Sequence, residues 1–189
     1  KNYAEPSIVE FSLFEIPFSE LPGSASLQDS FKRARQYWDK QKSKKAKNFF
    51  NQALNNTEGL IPILRISDFN TTGLTGAKAE YNTPWINLTK SSGVSDKENG
   101  TMGSFGIGKY ATFAASSLRT VFYNTVDKEN EVASQGIARL TSFIDKNSET
   151  TQGIGYIGGE LSKPEYANLS LDPNFQRNST ETGTDIYVV

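Results

Sequence analysis

Histidine and cysteine are both missing from this chain of 189 residues. Their absence excludes Ser–His and Cys–His nucleophilic systems, zinc sites built from histidine or cysteine, and disulfides within these residues. Any catalysis by this segment therefore has to use carboxylates, amides, lysine, hydroxyls or backbone groups.

A strong net charge and long apolar runs are also missing. The chain has 20 basic and 21 acidic residues and a net charge of −1, so it has no overall attraction for nucleic acid or membrane. No apolar run approaches the ~20 residues that span a bilayer, and no signal-peptide pattern precedes the first strand. We therefore expect a cytoplasmic location. A content of 36% hydrophobic and 12% aromatic residues predicts one folded domain over residues 1–189.

Hydrophobic spacing predicts both strands and helices. Alternation or continuous apolar character predicts strands at 8–16, 60–67 and 185–189, and a hairpin from 118–126 and 131–143. Apolar residues at helical spacing predict a helical hairpin, which we interpret as an insertion at 24–57. Because no regular βαβ rhythm is present, we expect an α+β fold: a two-layer α/β sandwich with a mixed, mostly antiparallel sheet.

Two glycine-containing stretches carry the functional signal. Residues 66–76 read ISDFNTTGLTG and place Asp68 where an apolar strand ends, and residues 103–108 read GSFGIG before a helical pattern. A run of backbone amides that leads into a helix favours anions such as phosphates. Residues 77–102, between the two stretches, lack periodicity, and a loop of this length predicts a functional lid.

Two other phosphate-binding motifs fit this sequence poorly. A Walker A motif needs Ser or Thr where Tyr110 stands, and its acidic strand would follow the loop, whereas Asp68 precedes it. A protein kinase needs a catalytic histidine motif, which a chain without histidine lacks. Simpler interpretations stay open at this point: Asp68 as a turn or helix cap, and the glycine pattern as a turn.

The ordered set of motifs resembles the GHKL ATPases, which share the Bergerat fold. It comprises an apolar strand ending in Asp68, a glycine turn, a lid, the G-x-x-G-x-G loop, a hairpin, and Gly183-Thr184 before the last strand. The GHKL superfamily includes gyrase-type topoisomerases, heat-shock chaperone ATPases, histidine kinases, MutL and MORC proteins. GSFGIGKYATFAAS is closest to the chaperone and MORC form of the loop, and the other departures indicate a divergent branch.

The resemblance implies a nucleotide site. Asp68 would accept a hydrogen bond from the adenine amino group, Gly73 would let the backbone approach the base, and Thr184 would support Asp68 through its hydroxyl or a water. The usual D-x-G-x-G reads D-F-N-T-T-G-L here, so Asn70 replaces a glycine and one residue is inserted. The implied nucleotide-binding residues are Asp68, Asn70, Thr72, Gly73, Gly103, Ser104, Phe105, Gly106, Ile107, Gly108, Lys109 and Thr184.

The resemblance also implies a helix before the first strand, with a Glu that activates water and an Asn that holds Mg²⁺. We expect this helix upstream of Lys1, because the chain begins without Met and no internal segment provides it. Residues 1–189 would then contain no catalytic or metal-binding residue, would bind ATP poorly and would not hydrolyse it.

The function implied for the full-length protein is Mg²⁺-dependent ATP hydrolysis. ATP and Mg²⁺ would be its cofactors, and ATP binding and hydrolysis would close the lid and switch the conformation or dimerisation of a larger protein. Its partners would be a second copy or other domains of the same polypeptide, with nucleic acid contacted through other regions. The alternative is a non-hydrolysing nucleotide sensor or protein-interaction scaffold on the same fold.

Overall fold

A computed structural model of the chain describes residues 5–91 and 107–189. This part of the chain is an α+β protein with a six-stranded open sheet and four α-helices. The strands are β1 (Ile8–Pro17), β2 (Leu60–Phe69), β3 (Thr120–Val126), β4 (Val132–Arg139), β5 (Ile154–Ile157) and β6 (Gly183–Val188). The helices are α1 (Ser24–Lys40), α2 (Lys44–Asn56), α3 (Pro84–Thr89) and α4 (Ile107–Ala115).

The strand order is β1-β2-β6-β3-β4-β5, and each neighbouring pair is antiparallel. This corrects the expectation of a mixed sheet. The strands β2 and β3 run in the same direction, but β6 lies between them and runs the opposite way. Insertion of the last strand therefore removes the parallel pair that a mixed sheet would contain.

The predicted helical hairpin is confirmed, and it covers one face of the sheet, which we call the hairpin face. In α1, Leu27, Phe31 and Ala34 are buried at helical spacing, and they pack with Phe50 of α2. This layer rests on Ile63 of β2 and on neighbouring side chains of the same face. The predicted strands at β1 and β2 and the β3–β4 hairpin are also confirmed.

The opposite face carries α3 and α4, and we call it the Asp68 face because the Asp68 side chain lies on it. Trp85 of α3 is fully buried and belongs to the same cluster as Phe113 of α4 and Val121 of β3. Thr83 caps α3, with its hydroxyl accepting from the Ile86 amide at 3.3 Å. Residues 77–91 of the predicted lid are thus partly helical and anchored to the sheet.

None of the described residues covers the Asp68 face at β1. Val9, Phe11 and Leu13 have 57%, 68% and 75% of their surface exposed. Alternation along the strand sends Phe14 and Ile16 to the hairpin face, where they join its apolar cluster.

Among the described residues, no helix combines the length and apolar character that a membrane crossing requires.

Candidate functional site

Among the described residues, the Asp68 carboxylate has one oxygen with hydrogen-bond donors and one without. Asp68 is the penultimate residue of β2 and is half-buried. Its Oδ1 accepts hydrogen bonds from the Thr184 backbone amide at 3.1 Å and from the Thr71 hydroxyl at 2.5 Å. No hydrogen bond from the described part of the chain reaches Oδ2. The two donors therefore fix the direction of the carboxylate and leave its second oxygen available to a donor from a ligand.

Thr184 supports Asp68, but the contact is through its backbone. Its hydroxyl lies instead 3.4 Å from the hydroxyl of Thr125. The residue before it, Gly183, has φ +151° and packs so closely that an added Cβ would overlap the Asp68 carbonyl oxygen. Gly183 and Thr184 thus contact Asp68 through their own main-chain atoms, Gly183 by close packing on the Asp68 carbonyl and Thr184 by its amide bond to the Asp68 carboxylate.

Gly73 is required by its packing against β3. Its φ is +59°, a left-handed conformation, and an added Cβ would lie 2.5 Å from the Val126 carbonyl oxygen. The next residue, Leu74, donates its amide to the Thr125 hydroxyl at 2.9 Å, and that hydroxyl donates to the Gly183 carbonyl at 2.9 Å. Thr125 therefore connects the turn after Asp68 to both β3 and β6.

Asn70 and Thr72 shape this turn. Asn70 has φ +58°, so it occupies a left-handed conformation that asparagine tolerates better than most residues other than glycine. Its side-chain amide donates to the Pro6 carbonyl at 3.0 Å. Thr72 is exposed, and its carbonyl accepts from the Lys128 amide at 3.0 Å. Asn70 therefore stands in a backbone conformation that glycine also adopts readily.

An ion pair lies behind Asp68 on the hairpin face. Arg177 and Asp185 both have fully buried side chains. Arg177 donates from Nε to Asp185 Oδ2 at 3.0 Å and from Nη2 to Asp185 Oδ1 at 2.6 Å. The same Nη2 donates to the Asp68 carbonyl oxygen at 2.7 Å, and the guanidinium lies 4.5 Å from the centre of the Phe69 ring.

A second ion pair lies further along the same face. Arg65 Nε is 3.2 Å from Asp172 Oδ2, yet it has no partner in hydrogen-bond geometry. The Arg65 guanidinium stacks 3.7 Å from the centre of the Phe175 ring, and this ring meets the Phe69 ring edge-on. Both pairs hold the irregular segment 163–182 against the sheet.

The predicted phosphate loop falls mainly on Gly103, Ser104, Phe105 and Gly106, which lie outside the described residues, as do the side chains of Ile107 and Lys109. Gly108 is in the first turn of α4, where an added Cβ would have open space. The helix packs on the Asp68 face through Phe113, and Ser116, just beyond its end, donates to the Val189 and Thr120 carbonyls. The structure thus brings Asp68, Gly73 and Thr184 together and places α4 on the same face.

Several residues that contact Asp68 or its turn were not predicted from the sequence. Thr71 carries a weak local signal, since a hydroxyl three residues after an Asp often bonds to it in a turn. Arg177 and Thr125 carry none, because they are 109 and 57 positions away from Asp68 in the chain. Within residues 5–91 and 107–189, no three His, Cys, Asp or Glu side chains are arranged to hold a metal ion. We therefore assign no step to Mg²⁺ here.

Comparisons of the chain with protein-family models, with curated proteins and with solved structures find no match. The case for a function therefore rests on the residues and their geometry.

Proposed function

We propose that this chain is the ATP-binding domain of a GHKL-type ATPase and that Asp68 reads the adenine base. The observation that carries the proposal is the Asp68 carboxylate, with Oδ1 held by Thr184 and Thr71 and Oδ2 free. A fixed, half-buried acceptor suits the exocyclic amino group of adenine, which is a hydrogen-bond donor.

The chemistry of the base makes this proposal selective. Inosine nucleotides carry a carbonyl oxygen where adenine carries its amino group, so Asp68 would face an acceptor and remain unpaired. A buried polar group left without a partner costs about 1–3 kcal/mol, which corresponds to roughly a 5- to 150-fold difference in affinity. We therefore expect ATP to bind more tightly than inosine triphosphate by a factor in this range.

The arrangement around Asp68 supports the rest of the site. The helix α4 follows the glycine-rich stretch and lies on the Asp68 face, so phosphates at its N-terminal end and a base at Asp68 would occupy the same side of the sheet. ATP binding would then switch a larger assembly, formed with a second copy or with other domains of the polypeptide. Mg²⁺ would accompany the phosphates, with its protein ligands supplied from outside the described residues.

The test is a nucleotide titration of the whole 189-residue chain, monitored by the amide NMR signals of Thr184 and Leu74. We expect ATP to shift these signals and inosine triphosphate to do so only at higher concentration. Asp68→Asn should bring the ratio of the two dissociation constants to within about threefold of one, because an amide can donate as well as accept. The control is Asp29→Asn, an exposed carboxylate on α1, which should keep the wild-type ratio.

Two results would contradict the proposal. One is a wild-type chain whose Thr184 and Leu74 signals do not respond to ATP even at high concentration, because we expect residues 1–189 to bind ATP weakly rather than not at all. The other is a folded Asp68→Asn variant that discriminates between the two bases as the wild type does. Hydrolysis is a separate measurement: we expect no Mg²⁺-dependent phosphate release from residues 1–189, and robust release would contradict our assignment of the water-activating residue to another part of the protein.

A further inference from the structure

We propose that Arg177 is a positioning residue for Asp68 and that it thereby sets base selectivity. Its guanidinium holds the main chain of Asp68 from the hairpin face while the carboxylate points from the opposite face. The selectivity part of this inference rests on the proposed function. The positioning part concerns only this chain and can be measured without a nucleotide.

The guanidinium is itself rigidly held. Two parallel hydrogen bonds of 3.0 and 2.6 Å join Arg177 to Asp185, and Asp185 Oδ2 also accepts from the Asn124 side chain at 2.9 Å. Both charged side chains are fully buried, so water does not compete for these bonds. The position of Arg177 is therefore determined by β6 and β3 rather than by its own flexible side chain.

This fixed group then holds Asp68. Arg177 Nη2 donates to the Asp68 carbonyl at 2.7 Å, a charge-assisted hydrogen bond to the main chain of β2. The Thr184 amide holds the carboxylate of the same residue from β6. With both its carbonyl and its carboxylate tied to the β6 region, Asp68 cannot turn its peptide plane without breaking one of these bonds. Binding sites need side chains held to about 0.5 Å and 10–20°, and two attachments on different atoms of Asp68 restrict it more than either would alone.

Lysine cannot replace Arg177 in this role. A guanidinium presents its donors in a planar fork that reaches both Asp185 oxygens and the Asp68 carbonyl, whereas an ammonium is a point charge on a flexible stem. Arg177→Lys therefore keeps the buried positive charge beside Asp185 but removes the planar fork of donors that also reaches the Asp68 carbonyl. Arg65 offers a matched control, because it is a second buried arginine on the same face that pairs with Asp172 and has no bond to Asp68.

The experiment compares the wild type, Arg177→Lys and Arg65→Lys in the full 189-residue chain. The first readout is hydrogen exchange of the Thr184 amide, measured relative to the Val189 amide, which bonds to the Thr120 carbonyl elsewhere in the sheet. We expect Arg177→Lys to raise this relative exchange rate about tenfold or more and Arg65→Lys to leave it within about twofold. General destabilisation would accelerate both amides and leave their ratio unchanged.

The second readout is the ratio of the dissociation constants for inosine triphosphate and ATP. We expect Arg177→Lys to reduce this ratio at least about threefold, and Arg65→Lys to preserve it. If Arg177→Lys does not fold, Gly183→Ala provides a second variant, because its new Cβ would overlap the Asp68 carbonyl oxygen and lie 2.7 Å from Arg177 Nη1, which disturbs their contact without removing either charged side chain.

The outcomes separate the two proposals. Unchanged relative exchange of Thr184 in a folded Arg177→Lys variant would overturn the positioning role, whatever the nucleotides do. Faster exchange together with a wild-type chain that does not prefer ATP would support the positioning role and contradict base recognition by Asp68. Faster exchange together with reduced selectivity supports both.

Discussion

The two buried arginine–aspartate pairs on the hairpin face look alike but act differently. Each joins the 163–182 segment to the sheet, and each arginine stacks on a phenylalanine ring. Arg177 donates two hydrogen bonds to Asp185 and a third to the Asp68 carbonyl. Arg65 Nε lies near Asp172 but has no partner in hydrogen-bond geometry. A buried pair of the first kind fixes the position of neighbouring backbone. A pair of the second kind mainly neutralises charge.

The largest effect should come from removing each arginine in turn. Arg177→Met leaves the fully buried Asp185 without its cation, and we expect a loss of about 3–5 kcal/mol in the free energy of unfolding. Arg65→Met should cost less, about 1–3 kcal/mol, because Asp172 keeps a hydrogen bond from the Asn174 amide. Urea denaturation of both variants measures the difference. Equal losses would show that the two pairs are energetically equivalent.

A smaller loss of stability is expected at Gly183, where β6 packs closely on the Asp68 carbonyl. Gly183→Ala places a Cβ on the Asp68 carbonyl oxygen in a backbone conformation that favours glycine, and it should cost about 2–3 kcal/mol. Gly155→Ala in β5 is the control, since an added Cβ there meets no atom within 4 Å, and it should change stability by less than about 0.5 kcal/mol. Thermal unfolding of the two variants compares them. Similar melting temperatures would argue against the tight contact at Gly183.

The smallest effect concerns pH and the buried hydroxyl of Tyr187. Burial, followed by the negative charge of Asp185, raises the pKa of Tyr187 to about 12. An unfolded tyrosine ionises near pH 10, so the stability from the neutral buried form is fully present below about pH 10 and is lost as pH rises toward 12. At pH 11 the loss should be about 1 kcal/mol, and Tyr187→Phe should remove it.

Tyr123 serves as the comparison for Tyr187. Burial also raises the pKa of Tyr123, but Asp185 does not contribute to that shift. The measurement is the free energy of unfolding by urea at pH 9 and pH 11 for the wild type, Tyr187→Phe and Tyr123→Phe. A pH dependence in Tyr187→Phe identical to that of the wild type would contradict the raised pKa.

The parts of the fold that were predictable are those with a local pattern. The helices α1 and α2 and the strands β1 to β4 have apolar residues at periods that identify them without tertiary information. The helix α3 has six residues and β5 has four, too few for a period to emerge, so both were missed. The absence of a parallel pair between β2 and β3 depends on the insertion of β6 between them, which no local pattern specifies.

The candidate site divides in the same way. Asp68 and Gly73 stand out in the sequence because an acid at a strand end and a glycine in a turn are local signals. Arg177 and Thr125 act on Asp68 and its turn from distant parts of the chain, so only the folded structure associates them. The β1 alternation identifies a strand but does not tell which face is buried: Val9, Phe11 and Leu13 are exposed, while Glu10 on the other face lies 3.7 Å from Arg65.

The place of β6 has a consequence for the order of assembly. The strands β1 and β2 form one antiparallel ladder and β3 to β5 another, and β6 is the strand that pairs with both. The Asp68–Thr184 bond spans 116 positions, so at 5–20 residues per second Asp68 is synthesised roughly 6–23 s before its partner. Until then the two half-sheets have no shared ladder and the carboxylate has no backbone donor from β6. Recognition of a base at Asp68 would thus become possible only when the sheet itself is complete, so an incompletely synthesised chain would not compete for the ligand.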